Sequence, residues 1–258
     1  MRGDGVIDGL YLKRRHGELA NEPALQCVAG LGIVGDVHAN RLSPRQVLLT
    51  LSSELEQLRI APGALQENIV ISCGRPELFR PGSALLSASG VEIALTMFCE
   101  PCKRIAPLAP KLSKLIHRRG VLGRFVSGGA LRAGETVDLI ADRYRALPES
   151  PYQNFLDVVA AIPAGRVLRH ADVAIAMGVA DSFVRALPGY IRRSVNLGLP
   201  LHRIVNARGQ LLDFIPDQAA RLGREGVAVR GDVVPDLAHY LFDGDYNCNA
   251  AMRFKPST

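Results

Sequence analysis

Tryptophan is absent from the 258 residues, and aromatic side chains together make up only 5% of them. A surface built to stack many successive bases needs more rings than that. No stretch approaches the roughly 20 uninterrupted apolar residues that a membrane-spanning helix requires, so no membrane partner is expected. The opening segment MRGDGVIDGLYLKRR lacks the apolar core of a secretory signal, which points to a cytoplasmic protein. Cysteines are few and odd in number: Cys27, Cys73, Cys99, Cys102 and Cys248. Reduced thiols fit that count better than a disulfide framework does. Charge is modest too. Nineteen basic and 15 acidic residues precede a cut after Ser150, and 12 and 10 follow it. Neither half is basic enough to indicate nucleic-acid binding from charge alone.

What is present is a 48% apolar composition, enough for the core of one large domain or two ordinary ones. Up to about residue 140 the chain consists of short apolar runs between turn residues. GIVGD (32–36), RQVLLTL (45–51), NIVIS (68–72), VEIALTMF (91–98), VLGRFV (121–126) and ETVDLI (135–140) alternate with APG, RPG, ASG, SGG and RAG. That pattern predicts many short strands in a β-barrel or curled sheet. One helix is expected at 107–119, where Leu108, Leu112, Leu115 and Ile116 recur near helical spacing.

A polar stretch, ADRYRALPESP (141–151), separates this style from a second one in which helices dominate. QNFLDVVAAIP places Phe155, Val158, Val159 and Ile162 on one face, and ADVAIAMG is a short helix stopped by Gly178. Ser182 then stands as an N-cap before FVRALPGYIRR, which makes a helix-turn-helix plausible. The domains are therefore expected at 1–145 and 150–230, with 231–258 as a C-terminal extension.

Four segments of the second half carry a family likeness. IPAGRVLRHADVA (162–174), RALPGYIRR (185–193), LPLHRIVNARG (199–209) and RLGREGV (221–227), in this order, resemble the DNA-binding and catalytic domain of the alkylguanine-DNA alkyltransferases. They resemble more closely the alkyltransferase-like proteins, and the fold implied is a winged helix-turn-helix. In the enzymes a cysteine between Pro and His takes the alkyl group, while the His relays its proton and a downstream Glu orients the His. Here His202 and Glu225 match the relay, and Leu201 holds the cysteine's place. Leucine offers no nucleophile, so this site is expected not to transfer alkyl groups. The resemblance implies instead a pocket that holds a flipped base of damaged DNA over Leu201. Arg185 matches the arginine that fills the gap left in the duplex. His170 stands where the family has a tyrosine, Pro188 where it has a small glycine, and Ser194-Val195 where it has Asn-Pro. A proline at 188 would kink the recognition helix.

The first half carries a different likeness. GIVGDVHANRLSPRQVLL (32–49), GALQENIVI (63–71), LFRPGSALLSASGVEIALT (78–96) and CEPCKRI (99–105) resemble the MOSC domain, found at the C-terminus of molybdenum-cofactor sulfurases and in standalone relatives. Gln66 replaces a family glycine, and Cys99 replaces an arginine. The resemblance implies a mostly-β barrel in which Cys102 carries sulfur as a persulfide or ligates molybdenum. Lys103 and Arg104 beside it would favour the thiolate that either role needs. Arg45, Asp36, His38, Glu67, Asn68 and Lys103 are the residues implied to shape a pocket for a molybdenum-pterin cofactor, Arg45 foremost. The alternative is that Asp36 and Asn68 cap turns and His38 is a satisfied loop residue.

Together these readings predict a MOSC barrel followed by an alkyltransferase-like helical domain. The functions in view are a molybdenum-cofactor-dependent oxidoreductase or a sulfur transferase acting on modified nucleobases, served by a sulfur donor or redox partner protein. The rivals are a non-enzymatic lesion sensor with a scaffolding first domain and a persulfide carrier with a protein-docking second domain. The segment DGDYNCNAAMRF matches neither family.

Overall fold

The computed structural model describes residues 1–108 and 111–244, with only the backbone at Lys103 and Arg104. Two compact units divide near Leu147 and Pro148. The first is mostly β and the second mostly helical.

Short apolar runs rich in Val, Ile and Leu become strands because their branched side chains pack on a pleated surface. In chain order the first unit has β1 (Arg2–Arg15), β2 (Glu18–Asn21), β3 (Ala24–Val28), β4 (Gly32–Ile33) and β5 (Val47–Leu51). Helix α1 (Ser52–Leu58) and β6 (Ile69–Cys73) follow, then β7 (Ala84–Ser87), β8 (Glu92–Phe98), β9 (Val121–Ser127), β10 (Gly129–Arg132) and β11 (Thr136–Ile140). The main sheet runs β11-β7-β8-β9-β5-β6-β1-β2, and β1 also pairs with β11. Gly5 and Val6 sit at the closure, facing Cys73 and Ser72 of β6 on one side and Val137 and Thr136 of β11 on the other. A side chain at Gly5 would meet the Ser72 carbonyl at 2.5 Å, so glycine is what lets the strands approach there. Strands β3, β4 and β10 form a separate small sheet.

Ile7, Leu10, Leu49, Ile69, Ile71, Leu85, Ile93, Leu95, Phe125 and Leu139 fill the core. All five residues of β5 are buried, whereas β11 alternates between buried and less buried positions. The helix expected at 107–119 does not form. The chain instead makes two 3-10 segments, Lys103–Leu108 and Leu112–Leu115, and Pro107 and Pro110 account for this because neither can donate a helical hydrogen bond.

The second unit opens with α2 (Pro151–Ala160), capped by Ser150, whose hydroxyl accepts the Gln153 N–H. Next come β12 (Leu168–Arg169), α3 (His170–Met177), α4 (Leu187–Ser194), β13 (Ile204–Val205), α5 (Gln218–Arg224) and α6 (Leu237–Tyr240). Strands β12 and β13 pair in parallel. The Asn154 side chain, on α2, donates to the Met177 carbonyl at the end of α3 at 2.6 Å, tying the two helices together. A 3-10 segment, Asp181–Ala186, fills the link between α3 and α4. Ser182 lies inside it and caps nothing, since the residue before the segment is Ala180. Pro188 falls in the first turn of α4, where no helical bond is required of it, so the expected kink is absent. Ser194, in place of the family's Asn, donates to the Tyr190 carbonyl and meets the Tyr152 hydroxyl, both at 2.9 Å. From 231–244, Val234 packs with Val167, Val205, Leu222 and Val227, and Leu237, Tyr240 and Leu241 lie partly buried against them. Cys248 lies outside the described residues.

Candidate functional site

In the first unit, Gly120 sets the local geometry around Cys102. Its φ is +119°, a region open to glycine, and a side chain there would strike the Leu49 carbonyl at 2.2 Å. Its carbonyl accepts the Cys99 N–H at 2.9 Å, which fixes the end of β8 beside Arg119. Arg119 is 7% exposed; its Nη1 donates to the Glu100 carbonyl at 2.6 Å and lies 3.3 Å from Cys102 Sγ. Its Nε is buried without a hydrogen-bond partner. A guanidinium against a half-buried sulfur favours the thiolate, the form that attacks or ligates.

Further cations gather nearby. Burial pushes the Cys99 thiol up, and the charges of Arg119, Arg45 and Lys13 pull the other way. Lys13 is itself buried, and burial lowers its ammonium pKa, opposed mainly by the charge of Asp36. Its Nζ donates to the Gln66 carbonyl at 2.8 Å. Gln66 adopts φ +64°, the left-handed conformation for which glycine is suited.

Of the residues implied by the family likeness, Asp36 and Asn68 point inward as scaffold. Asp36 Oδ2 accepts from the Lys13 backbone N–H and from Asn68 Nδ2, and Asp36 Oδ1 accepts the His38 N–H. Despite burial, the ring and backbone N–H of His38, with the charge and backbone N–H of Lys13, hold the Asp36 carboxyl below its ordinary range. His38 Nδ1 lies 3.0 Å from Asp36 Oδ1, and its ring meets His16 edge to face. Glu67 is fully buried, with Oε1 on the Gly63 N–H at 2.6 Å and Oε2 unpartnered; burial raises its pKa. Arg45 is half-buried, and its backbone N–H donates to Ser43 Oγ. The Lys103 side chain lies outside the described residues. Sequence reasoning missed Lys13 and Arg119, which sit in the basic runs KRR and RRG and carry no local mark of burial. A shallow groove of about 470 Å³ over Asp4, Cys73 and Asp138 shares no lining residue with the Cys102 cluster.

The second unit holds its own cluster. Leu201, His202 and Arg203 form a short 3-10 turn, with Leu201 2% and His202 4% exposed. Gln218 Nε2 donates to the His202 and Ile204 carbonyls, fixing the turn. Arg203 grips both oxygens of Glu225 at 2.7–3.1 Å, and the Gly165 N–H adds a further bond. Arg203 above all draws the Glu225 carboxyl down to about 2. His202 Nε2 lies 2.8 Å from Glu225 Oε1. Facing a carboxylate, Nε2 carries the hydrogen, which leaves Nδ1 as a lone-pair acceptor. That Nδ1 is buried without a partner, and burial keeps the ring's pKa down in spite of Glu225. His170 opens α3, also with a buried, unpartnered Nε2 and a pKa lowered by burial. Arg185 is exposed and makes no ion pair with any described residue. Arg192 and Arg193 lie over the rings of Phe214 and Tyr152 at 4.3 and 4.0 Å.

Among the described residues, no three His, Cys, Asp or Glu side chains are grouped to hold a metal ion, and no helix is long and apolar enough to cross a membrane. Residues 150–227 match the family described as the DNA binding domain of 6-O-methylguanine DNA methyltransferase. No curated protein matches the chain. Among solved structures, the YuaD protein from Bacillus subtilis is 20% identical, covering 55% of this chain and 98% of that one, with a TM-score of 0.48. Atl1 of S. pombe, in complex with damaged DNA containing O6-carboxymethylguanine, is 25% identical over 36% of this chain and 94% of its own, with a TM-score of 0.33. YiiM from Escherichia coli is 15% identical over 73% and 92%, with a TM-score of 0.41.

Proposed function

We propose that the first unit binds a molybdenum-pterin cofactor or carries sulfur through Cys102, and that the second recognises a modified nucleobase without reacting with it. The observation that carries the first part is the guanidinium of Arg119 against Cys102 Sγ. The ring of strand pairings through β1 and β11 supports the barrel that the MOSC resemblance implies.

The residues present fit an anionic, sulfur-rich cofactor. Arg45, Lys13 and Arg119 supply positive charge for phosphate, and the orphaned Arg119 Nε is a donor awaiting an acceptor. Cys102 is the soft donor suited to a metal that brings its remaining ligands with it. When bound, such a group supplies two-electron redox chemistry. The chain's own part is to hold the thiolate, neutralise the anion and fix the loop through Asp36 and Asn68.

In the second unit the relay geometry persists around an inert side chain. Leu201 offers apolar contact to an extruded base, His202 Nδ1 offers one acceptor, and exposed Arg185 is available to the duplex. The family match over 150–227 supports this recognition role. The joined reading is reductive or sulfur chemistry directed at modified nucleobases. Elemental analysis of the purified protein tests it, together with an assay for labile sulfur. Molybdenum or sulfur that is lost in Cys102→Ser is the expected result. Protein with neither, and no change in Cys102→Ser, sinks the first part and leaves a lesion sensor with a scaffolding first unit.

A further inference from the structure

We infer that the exposed face of segment 106–117 docks an acidic protein, whose apolar side chains cover Leu108 and Ile116 while its carboxylates meet Lys111 and Lys114. The inference concerns this surface and holds whatever Cys102 carries. Between Glu100 and Glu135 the sequence has eight lysines and arginines and no aspartate or glutamate. The fold spends some of these cations on itself. Arg118 pairs with Glu54 and donates to Gln57, both on α1, and Arg119 turns inward to Cys102. Lys111 and Lys114 are exposed, and neither makes an ion pair with a described residue.

Apolar side chains divide between two faces of the same segment. Ile105 and Leu115 are buried against Leu55, Ile60, Leu65 and Val70, with Leu112 packed partly against them. Both 3-10 pieces thus lie over one apolar cluster. Leu108 and Ile116 stay outside it, 38% and 53% exposed. Two large aliphatic side chains left in water among lysines have the make-up of an interface centre and its rim. The face is also fixed in advance. The chain turns at His117 (φ +59°), whose ring stacks on Phe98 of β8 with centroids 4.5 Å apart. A preset surface loses little freedom when a partner settles on it.

The aliphatic pair favours a protein over a nucleic acid. Phosphates engage lysine but leave leucine and isoleucine in water, and bases stack on open ring faces, whereas Phe98 already covers one face of His117. An acidic protein satisfies both halves of the patch. It would also sit beside Cys102. The Ile105 N–H donates to the Cys102 carbonyl at 3.1 Å, and Arg119, whose side chain reaches Cys102, has its own N–H on the Leu115 carbonyl at 3.0 Å.

The test selects random phage-displayed peptides on the full chain. Enriched peptides are expected to combine Asp or Glu with large apolar residues. The most enriched one, made synthetically, should bind more weakly as salt rises. Its affinity should fall about tenfold in Lys111→Glu/Lys114→Glu and by a similar factor in Ile116→Ser, each checked for a native melting transition. Carbodiimide cross-linking of that peptide to the wild-type chain should label Lys111 or Lys114, a readout that needs no variant. Absence of enrichment, peptides without acidic residues, equal affinity for the variants, or cross-links confined to other lysines would each overturn the inference. An unmodified DNA duplex and phosphatidylglycerol vesicles are the two further probes, and their binding should be unchanged in Ile116→Ser. If either loses affinity there while the peptide does not, the face belongs to nucleic acid or membrane and the inference fails. Molybdenum and labile sulfur are measured separately, so the reading of Cys102 survives or falls on its own.

Discussion

Asn68 donates its Nδ2–H to Asp36 Oδ2 across 2.7 Å, joining two loops that lie 32 residues apart in the chain. The same amide donates to the Tyr11 carbonyl, and its oxygen accepts the Leu48 N–H. One side chain thus holds three segments in a buried setting. Asn68→Ala leaves several buried groups unpaired and is expected to cost about 2–4 kcal/mol. Urea unfolding reads this as a lowered midpoint at unchanged slope. A loss below about 0.5 kcal/mol would show that the network carries no stability.

Arg119 is expected to govern the reactivity of Cys102. Arg119→Ala should slow alkylation of Cys102 by iodoacetamide at pH 7 by about tenfold, with Arg119→Lys falling between. Peptide mapping assigns the label to Cys102 and not to Cys99. Equal rates in wild type and Arg119→Ala would remove the guanidinium from any role in activation.

Gln66 occupies a left-handed conformation in order to offer its carbonyl to Lys13. Gln66→Gly keeps that carbonyl and relieves the strain, while adding freedom to the unfolded chain. A net gain of about 0.5–1 kcal/mol is expected. Calorimetry should show a raised Tm, and a fall would mean that the glutamine side chain supplies more than the backbone loses.

Acid should destabilise the second unit through two groups acting in the same direction. Glu225 has its carboxyl pulled down to about 2 from an ordinary 4.5, so its contribution is full above pH 4.5 and is lost as pH falls through about 2. His202 has its pKa held below the ordinary 6.5, so the fold favours its neutral form. Its contribution is full above pH 6.5 and declines as acidification forces protonation. Glu225→Gln should lower the Tm at pH 7 and flatten its fall between pH 4.5 and 2. A Tm–pH profile parallel to wild type would refute the assignment.

Arg185 should contribute to duplex binding without selecting sequence. Arg185→Ala is expected to abolish the preference for an alkylguanine-containing duplex, since nothing then fills the gap left by the extruded base, and to reduce the salt slope by about 1. Leu201→Glu should abolish the preference for an O6-alkylguanine duplex and leave the residual non-specific binding in place. Fluorescence anisotropy across a salt series distinguishes the two effects.

Much of the architecture was legible because period and punctuation agree. VEIALTMF and VLGRFV read as strands and form β8 and β9, and ADVAIAMG reads as a helix and forms most of α3. The fourteen-residue β1 was hidden, since Gly3, Gly5 and Gly9 break its apolar alternation although the fold needs close backbone approach at Gly5. Leucine spacing favours a helix at 107–119, and Pro107 and Pro110, which cannot donate helical hydrogen bonds, work against it. His202 with Glu225 was legible through its motif, but the grip of Arg203 on Glu225 was not, for an adjacent arginine looks alike on any surface. Arg119 and Lys13 were invisible for the same reason: burial of a cation is decided by segments far away in sequence.

The pairing of β1 with β11 has a consequence for how the chain reaches this fold. Arg2 through Val6 must find Thr136 through Ile140, partners 130 to 138 residues apart, before the ring of strands is complete. Closing so long a loop is an entropic cost met before the contact returns anything, so this unit should fold slowly for its size. During synthesis the first strand emerges early and waits with an open edge until β11 has left the ribosome. The charges scattered along β1, Arg2, Asp4 and Asp8 among them, would keep that waiting edge from pairing with other chains.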